Sequence, residues 1–170
     1  MDIRAIHKTN CLDLIPIFIE LEHYYFKEKA SSKHDLVHYL KNQVFSEHSG
    51  VHIIAVYDND DVVGFASYTV MFPAPKLSGQ MYLKDLFVSS KVRGKGVGLK
   101  LMKYLASLAI KCGCQRLDWT AESSNPTAGQ FYRSIGATLI HEKEYYRFCF
   151  WVYVCCATQP QKTLLKEIIY

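Results

Sequence analysis

A glycine-rich segment, Arg93-Gly-Lys-Gly-Val-Gly98, stands between a strand pattern and a helix pattern and strongly limits how the chain can fold. Glycine lets the backbone adopt positive φ and approach a bound group closely. The helix after it presents unpaired N–H groups and a positive dipole end, which attract an anion. Lys91, Arg93 and Lys95 add positive charge there. The segment therefore predicts a pyrophosphate-binding loop.

Two widespread phosphate loops do not fit this spacing. A Walker A loop requires G-x-x-x-x-G-K-[ST], which the chain lacks, and the dinucleotide fingerprint requires G-x-G-x-x-G. Gly94, Gly96 and Gly98 follow G-x-G-x-G instead, and Leu99 stands where the fingerprint needs its third glycine. The segment does satisfy [QR]-x-x-G-x-[GA], starting at Arg93. Because that pattern is short, its meaning depends on the neighbouring elements.

Hydrophobic periodicity and turn residues predict alternating strands and helices around this loop. Strands are expected over 2–7, 51–57, 62–70, 80–88 and 115–121, and twice within 138–154. Helices are expected over 13–29, over 32–44, from the glycine loop to about 112, within 123–137, and as a last turn at 162–170. Asp13 is the expected cap of the first helix, with Pro16 in its first turn. Ser32 and Asp35 form a capping box for the second.

Composition agrees with one globular domain, expected over 1–170. The 170 residues are 49% hydrophobic, and the segment 71–79 is expected as a loop because of its prolines and glycine. A formal net charge of +4 is too small to indicate a nucleic-acid partner. We also expect no membrane association, because no stretch approaches the ~20 apolar residues of a membrane span.

Cysteine and histidine spacing gives no metal or disulfide framework. The six cysteines are Cys11, Cys112, Cys114, Cys149, Cys155 and Cys156. They contain no C-x-x-C pair, so reduced thiols in a cytoplasmic protein are expected. His34 and His38 are four residues apart but lack an H-E-x-x-H context, so no metal is expected there.

The motifs occur in an ordered set: QMYLKDLFV, then the glycine loop, then NPTAGQFYRSIGA. Together they resemble the GNAT superfamily of acetyl-CoA-dependent N-acetyltransferases, over roughly residues 3–150. The segments Tyr82–Val88, Arg93–Leu99 and Asn125–Ala137 are most similar to the spermidine/spermine branch. Ile3-Arg4 and Glu20–Tyr25 are also similar to that branch.

The resemblance implies an α+β GNAT fold, with a mixed, mainly antiparallel sheet flanked by helices and strands that splay at the acyl-CoA site. The backbone of Leu86, Phe87 and Val88 would bind the pantetheine arm of acetyl-CoA. The pyrophosphate would be held at Arg93, Gly94, Lys95, Gly96, Val97, Gly98 and Leu99. Asn125 and Ala128 would flank the thioester. Family members often pair, so a homodimer is expected, with 145–154 as a candidate interface.

The implied reaction is direct acetyl transfer to an amine through a tetrahedral intermediate, with CoA as product. Tyr132 is the expected acid for the departing thiolate, because a phenol with a pKa near ~10 keeps its proton at neutral pH. The base is open. Polyamine acetyltransferases usually carry glutamate where this chain has Lys84 (YLKD for YLED). Asp85 is expected on the opposite face of the strand, in a structural hydrogen bond. Candidate bases are Glu20, Glu22, His23, Glu122 or ordered water.

The expected acceptor is a primary amine of a small molecule, either a di- or polyamine or an amino-acid-like amine. Candidate substrate-binding residues are Glu20, Tyr24, Tyr25, Lys84, Asp85, Asp118 and Glu122, beside Trp119. Their carboxylates and aromatic rings suit a cationic ligand. An aminoglycoside, a peptide or protein amine, and a non-catalytic acyl-CoA sensor are the alternatives.

Overall fold

The computed structural model describes residues 1–147, which contain one five-stranded sheet. Its strands, in spatial as well as chain order, are β1 (Asp2–Ile6), β2 (His52–Asp58), β3 (Asp61–Ala74), β4 (Ser78–Val88) and β5 (Cys114–Trp119). The pairs from β1 to β4 are antiparallel, and β5 runs parallel to β4. The expected mixed, mainly antiparallel sheet is therefore confirmed.

Four α-helices accompany the sheet within the described residues. They are α1 (Ile15–Phe26), α2 (Lys33–Tyr39), α3 (Val97–Lys111) and α4 (Pro126–Ser134), and α2 continues as a π-helical turn, Leu40–Val44. Pro16 lies in the first turn of α1, as predicted. The Ser32 hydroxyl accepts a 3.1 Å hydrogen bond from the Asp35 N–H, which confirms the capping residue of α2.

The predicted cap at Asp13 is wrong. A 3-10 turn, Cys11–Leu14, precedes α1, and the helix has no side-chain cap. Asp13 instead accepts a 2.8 Å hydrogen bond from the hydroxyl of Tyr57 on β2. The Asp13 carboxylate, which the local pattern assigned to the start of the helix, thus bonds to the sheet instead.

The sheet is buried on both faces at β2, where every residue from Ile53 to Tyr57 is buried. On one face Ile53 and Phe65 join a core with side chains of α1 and α2. On the other face, α3 approaches closely, because a Cβ on Gly64 of β3 would lie 2.9 Å from Val97 Cγ1. Alternating side chains thus hold helices on both sides of the strands.

Two predicted elements differ in the structure. The expected loop over 71–79 is wrong: β3 reaches Ala74, β4 begins at Ser78, and a short 3-10 turn, Pro75–Leu77, joins them. Cross-strand pairing satisfies the backbone there, and Pro73 falls at an irregularity of the ladder. Residues 138–147 contain no strand, because β-propensity needs a partner strand to be realised. The rest of that prediction, and the turn at 162–170, lie outside the described residues.

Contacts within the chain define two units, Met1–Phe131 and Tyr132–Tyr170. The first contains the whole sheet and α1 to α3. In the second, Gly136 has φ 88° and its N–H donates to the Arg133 carbonyl at 3.0 Å, which confirms the predicted glycine stop after α4. The single domain over 1–170 stays a prediction. No helix among residues 1–147 has both the length and the apolar character needed to cross a membrane.

Candidate active site

The glycine loop joins β4 to α3 through a 3-10 turn, Ser90–Val92, at whose start the Ser89 hydroxyl accepts a hydrogen bond from the Lys91 N–H. Gly94 and Gly96 have φ of 77° and 80°, and Gly96 is the cap residue of α3. A Cβ at either glycine would meet nothing within 4 Å. These glycines are therefore needed for backbone conformation, and the space in front of the helix N-terminus is open to a ligand.

Gly98 has a packing role in addition to its predicted place at the pyrophosphate, which stays a prediction. A Cβ added there would lie 3.3 Å from the Phe131 Cζ atom on α4. The φ of Gly98 is not positive, so the backbone itself does not demand glycine. Close packing of Phe131 against the first turn of α3 is the reason for a small residue at this position.

Strand β5 ends before β4 does, on the side of the sheet that leads to this loop. Their pairing ends at Leu83 and Trp119, while β4 continues through Lys84–Val88 and stays paired to β3 on its other edge. Within the described residues, β5 therefore does not pair with the stretch that carries Leu86, Phe87 and Val88. This agrees with the predicted splay. Over Lys84–Val88 that backbone edge of β4 has no strand partner among the described residues and is open to a ligand's amide groups, apart from the Val88 carbonyl, which Arg93 contacts.

Arg93 reaches back from the loop to the end of β4. Its Nε donates a 3.0 Å hydrogen bond to the Val88 carbonyl, and its guanidinium lies 5.4 Å from the Tyr24 ring centroid and 5.6 Å from that of Phe87. Tyr24, predicted to bind the acceptor, thus packs between α1 and the glycine loop.

Glu20 also connects α1 with the loop. Its Oε1 accepts a 2.7 Å hydrogen bond from the Ser90 N–H. Partial burial would raise the pKa of Glu20, but hydrogen bonds from Ser90 and Ser89, together with the charge of Arg93, lower it below its ordinary value. Glu20 is therefore an ionised loop anchor, a role that sequence patterns did not indicate.

A cavity of about 990 Å³ opens between α1, α2 and the strands β2 to β4. Among residues 1–147, aromatic rings and three carboxylates line it, and Lys84 is the one lysine or arginine that does so. The aromatic residues are Phe18, Tyr25, Phe26, Tyr39 and Phe65, and the acidic ones are Glu22, Asp35 and Asp85. Such a lining is suited to an organic cation, because carboxylates and aromatic faces both attract positive charge.

Lys84 and Asp85 both face this cavity, contrary to the expectation that they alternate across the strand. The pairing of β3 with β4 shifts here: Ser67 pairs with Asp85 and Tyr68 with Leu83, so Lys84 is the extra residue of a β-bulge. The Ser67 hydroxyl donates a 2.6 Å hydrogen bond to Asp85 Oδ2, which confirms the predicted structural hydrogen bond. Lys84 Nζ lies 3.7 Å from Asp85 Oδ1.

The other predicted acceptor residues divide between two places. Tyr25 lines the cavity, and burial, followed by Tyr24 and Asp85, raises its pKa. Asp118 is not among the residues that line the cavity, and its Oδ2 contacts Arg116 Nε at 2.9 Å and Gln80 Nε2 at 2.7 Å. Glu122 is exposed, and it also contributes to the raised pKa of Tyr25.

The N-terminus of α4 carries the next predicted group. Asn125 Oδ1 accepts a 3.1 Å hydrogen bond from the Ala128 N–H, so Asn125 caps the helix. Tyr132 lies on the last turns of the same helix, whose described residues continue to Ser134. Asn125 and Ala128 as cofactor contacts, and Tyr132 as the acid, stay predictions.

Among residues 1–147, no group of three or more histidine, cysteine, aspartate or glutamate side chains is arranged so that it could hold a metal ion. His38 Nδ1 interacts with the Asn42 amide at 3.2 Å. Cys11 and Cys114 are buried free thiols, and Cys112 is exposed. Burial, with Cys112 nearby, raises the pKa of Cys114. Cys149, Cys155 and Cys156 lie outside the described residues.

A mixed sheet with an unpaired strand edge next to a glycine loop at a helix N-terminus is the arrangement that the resemblance implies for an acyl-CoA site. The family model described as Acetyltransferase (GNAT) family matches residues 15–137. The chain therefore belongs to the GNAT acetyltransferase family, whose members use acetyl-CoA.

Curated relatives cover part of the chain. It is similar to thialysine N-epsilon-acetyltransferase of Bos taurus, with 33% identity over 49% of this chain and 48% of the relative. It matches L-ornithine N5-acetyltransferase NATA1 of Arabidopsis thaliana with 33% identity over 54% of this chain and 39% of the relative. Spermine/spermidine N(1)-acetyltransferase of Bacillus subtilis is 29% identical, over 49% and 57% respectively. The chain thus spans about half the length of these relatives.

Solved structures share the fold. An integron cassette protein from the mobile metagenome of V. cholerae is 69% identical, with a TM-score of 0.85 over 86% of this chain and 91% of that one. An aminoglycoside N-acetyltransferase, AAC(6')-Iy, solved with CoA, is 17% identical, with a TM-score of 0.63 over 86% of this chain and 93% of that one. The second likeness concerns the fold alone.

Proposed function

We propose that the protein transfers the acetyl group of acetyl-CoA to a primary amine of a small molecule. One observation carries this proposal: the open backbone edge of β4 begins at Lys84 and Asp85, which also line the acidic, aromatic cavity. An acyl donor along that edge and an amine in the cavity would therefore meet at one place.

The residues around the glycine loop fit the cofactor. Gly94 and Gly96 keep the space before α3 open, and backbone N–H groups at that helix start suit a pyrophosphate. We propose that Arg93, Lys95, Val97, Gly98 and Leu99 complete this contact, and that Leu86 to Val88 bind the pantetheine amides. Acetyl-CoA supplies, when bound, an acetyl group activated as a thioester.

The transfer joins the acceptor nitrogen to the acetyl carbon as the thioester C–S bond breaks. A bound ammonium first loses one proton to solvent, because only the neutral amine is a nucleophile. As the amide forms, that nitrogen loses one further proton, and one proton is taken by the sulfur. We propose that Tyr132 donates the proton that the sulfur takes, as the motif FYRSIGA implies for this family. Asp85, or a water bound to it, is the group best supported to receive the proton that the nitrogen loses as the amide forms. Its carboxylate lines the cavity and is oriented by Ser67.

A small amine is supported by the cavity and by the relatives' names. Glu22, Asp35 and Asp85 outnumber Lys84 among its charged residues, which favours a cation. Thialysine, L-ornithine and spermine or spermidine, named for the relatives, all carry primary amines. A polyamine stays a candidate on this basis. We also propose a cytoplasmic homodimer, which a mass measurement in solution tests; its candidate interface, 145–154, lies largely outside the described residues.

The test is an acceptor screen with acetyl-CoA. Free thiol released from the donor is followed with a panel of diamines, polyamines, basic amino acids, aminoglycosides and a peptide, and the products are weighed by mass spectrometry. Release with small amines supports the proposal. Calorimetric binding of acetyl-CoA without release across the panel would instead identify an acyl-CoA sensor.

A further inference from the structure

The β-bulge at Lys84 places an ammonium and a carboxylate side by side in the cavity. We propose that the acceptor is an α-amino acid with a second amine on its side chain, that Lys84 binds its carboxylate while Asp85 binds its α-amino group, and that this α-nitrogen, next to the open edge of β4, is the one acetylated. This inference rests on the proposed acetyltransferase function and names the acceptor class for the same cavity.

The geometry of the bulge is complementary to a zwitterion. Lys84 Nζ and Asp85 Oδ1 are 3.7 Å apart. An α-amino acid carries its ammonium and carboxylate on one carbon atom, so these groups are also only a few ångströms apart. When the ligand carboxylate lies next to Lys84 and the ligand ammonium lies next to Asp85, each charge of the ligand contacts the opposite charge on the protein.

Both protein groups are available for such a ligand. Asp85 Oδ2 is held by the Ser67 hydroxyl at 2.6 Å, and Ser67 is only 4% exposed, so the carboxylate is oriented while Oδ1 points to the lysine side. The Lys84 side chain is 71% exposed, and an ammonium has three donors. Neither group has its bonding capacity filled by the other.

A plain diamine fits this pair less well. An ammonium bound at Asp85 Oδ1 would lie beside Lys84 Nζ, and like charges so close repel each other. A carboxylate on the same ligand removes that repulsion by pairing with the lysine. Lysine at this position therefore selects for an acceptor with a carboxylate, where a glutamate would select against one.

The second amine has its own acidic partners. Glu22 of α1 and Asp35 of α2 line the same cavity. Glu22 Oε2 accepts the Ser31 N–H at 2.9 Å, and Asp35 Oδ2 accepts the Ser32 hydroxyl at 2.6 Å, so both carboxylates are oriented by their neighbours. A cationic side chain of the ligand that extends from the bulge toward Glu22 and Asp35 is thus complementary to these two carboxylates.

Matched acceptors test the inference. Free L-lysine and its decarboxylated diamine differ only in the carboxylate, as do L-ornithine and its diamine. The wild-type protein should show a kcat/KM at least about tenfold higher for each amino acid than for its diamine, as expected for one charged contact. Lys84→Met should lower that ratio by about tenfold, and Lys84→Arg should largely restore it. Lys103→Met, on the exposed face of α3, is the matched control and should leave the ratio unchanged.

A wild-type preference for the diamines would overturn the inference, and so would a ratio that Lys84→Met does not move. Either result leaves the acetyltransferase proposal standing, because an amine is still acetylated. Acetyl-CoA binding without thiol release from any acceptor would overturn the proposed function itself. The wild-type ratio needs no variant, so the inference stays falsifiable even if Lys84→Met does not fold.

Discussion

The main-chain N–H of Ser90 donates a 2.7 Å hydrogen bond to Glu20 Oε1, although the two residues are 70 positions apart in the chain. This bond connects α1, the helix that borders the cavity, to the turn that leads into the glycine loop. Because Arg93 also contributes to the lowered pKa of Glu20, the carboxylate is coupled to the loop by charge as well. The two halves of the site are thereby positioned together.

Replacing Glu20 should weaken cofactor binding. Glu20→Gln keeps the side-chain shape but removes the negative charge of the carboxylate that accepts the Ser90 N–H. A hydrogen bond to a charged group contributes about 1.5–3 kcal/mol. We expect the affinity for CoA, measured by calorimetry, to fall about tenfold. Glu28→Gln, an exposed neighbour, is the control. Equal affinity in both variants would mean that the anchor does not support the loop.

The same carboxylate predicts an acid-side pH dependence. The pKa of Glu20 is lowered in the folded protein, so its stabilising contribution is present above the unfolded value of about 4.3 and is lost as the pH falls through the lowered folded value. The free energy of unfolding of the wild type minus that of Glu20→Gln should thus shrink as the pH falls below about 4.3. A difference that stays constant across this range would contradict the assignment.

Gly96→Ala should impair CoA binding through backbone strain. An alanine at φ 80° costs about 1–2 kcal/mol, although its Cβ would touch nothing within 4 Å. Gly113→Ala is a matched control, since that glycine has φ 72°, equally free space and a position at the other end of α3. Both variants should lose similar stability in chemical denaturation, while only Gly96→Ala should lose CoA affinity.

Ser67→Ala should lower catalytic efficiency without loss of cofactor affinity. The variant removes the 2.6 Å hydrogen bond that orients Asp85 in the cavity, and we expect kcat/KM for the amine to fall about tenfold. Ser78→Ala, which removes a buried hydroxyl bonded to the Pro75 carbonyl at the far end of the β3–β4 hairpin, is the control. Equal kcat/KM values for these two variants would exclude a positioning role for Ser67.

Tyr132→Phe should lower turnover by about 10²-fold or more, the usual contribution of a general acid, with little change in the Kd of CoA. Tyr104→Phe, an exposed tyrosine of α3, serves as the comparison. Steady-state kinetics with the best acceptor and calorimetry with CoA separate the two effects. Unchanged turnover in Tyr132→Phe would remove this residue from the mechanism.

Local sequence patterns were enough to predict much of the region around the glycine loop. The strand, glycine loop and helix that become β4, Arg93–Gly98 and α3 are adjacent in the chain, and glycine at positive φ before a helix is a local conformational requirement. The capping serine of α2 is equally local. Such features depend on neighbouring residues, so the sequence predicted them correctly.

The predictions that were wrong depend on distant residues. Asp13 was assigned to a helix end but bonds to Tyr57, 44 positions away. Asp85 was assigned to the face opposite Lys84, but the register of β3 against β4 inserts a bulge there. Strand alternation holds only while the ladder is regular, and the ladder is a property of two strands rather than one.

The sequence by itself therefore determined the family, the strand–loop–helix unit and the presence of a lysine where related enzymes usually carry glutamate. Only the tertiary structure decided where that lysine lies. In the structure Lys84 and Asp85 line the same cavity, together with Glu22 and Asp35. Glu20 instead bonds to Ser90, and Asp118 bonds to Arg116. The physical reason is that a binding site is made of side chains whose directions follow from strand register and helix packing, which are set by contacts between distant parts of the chain.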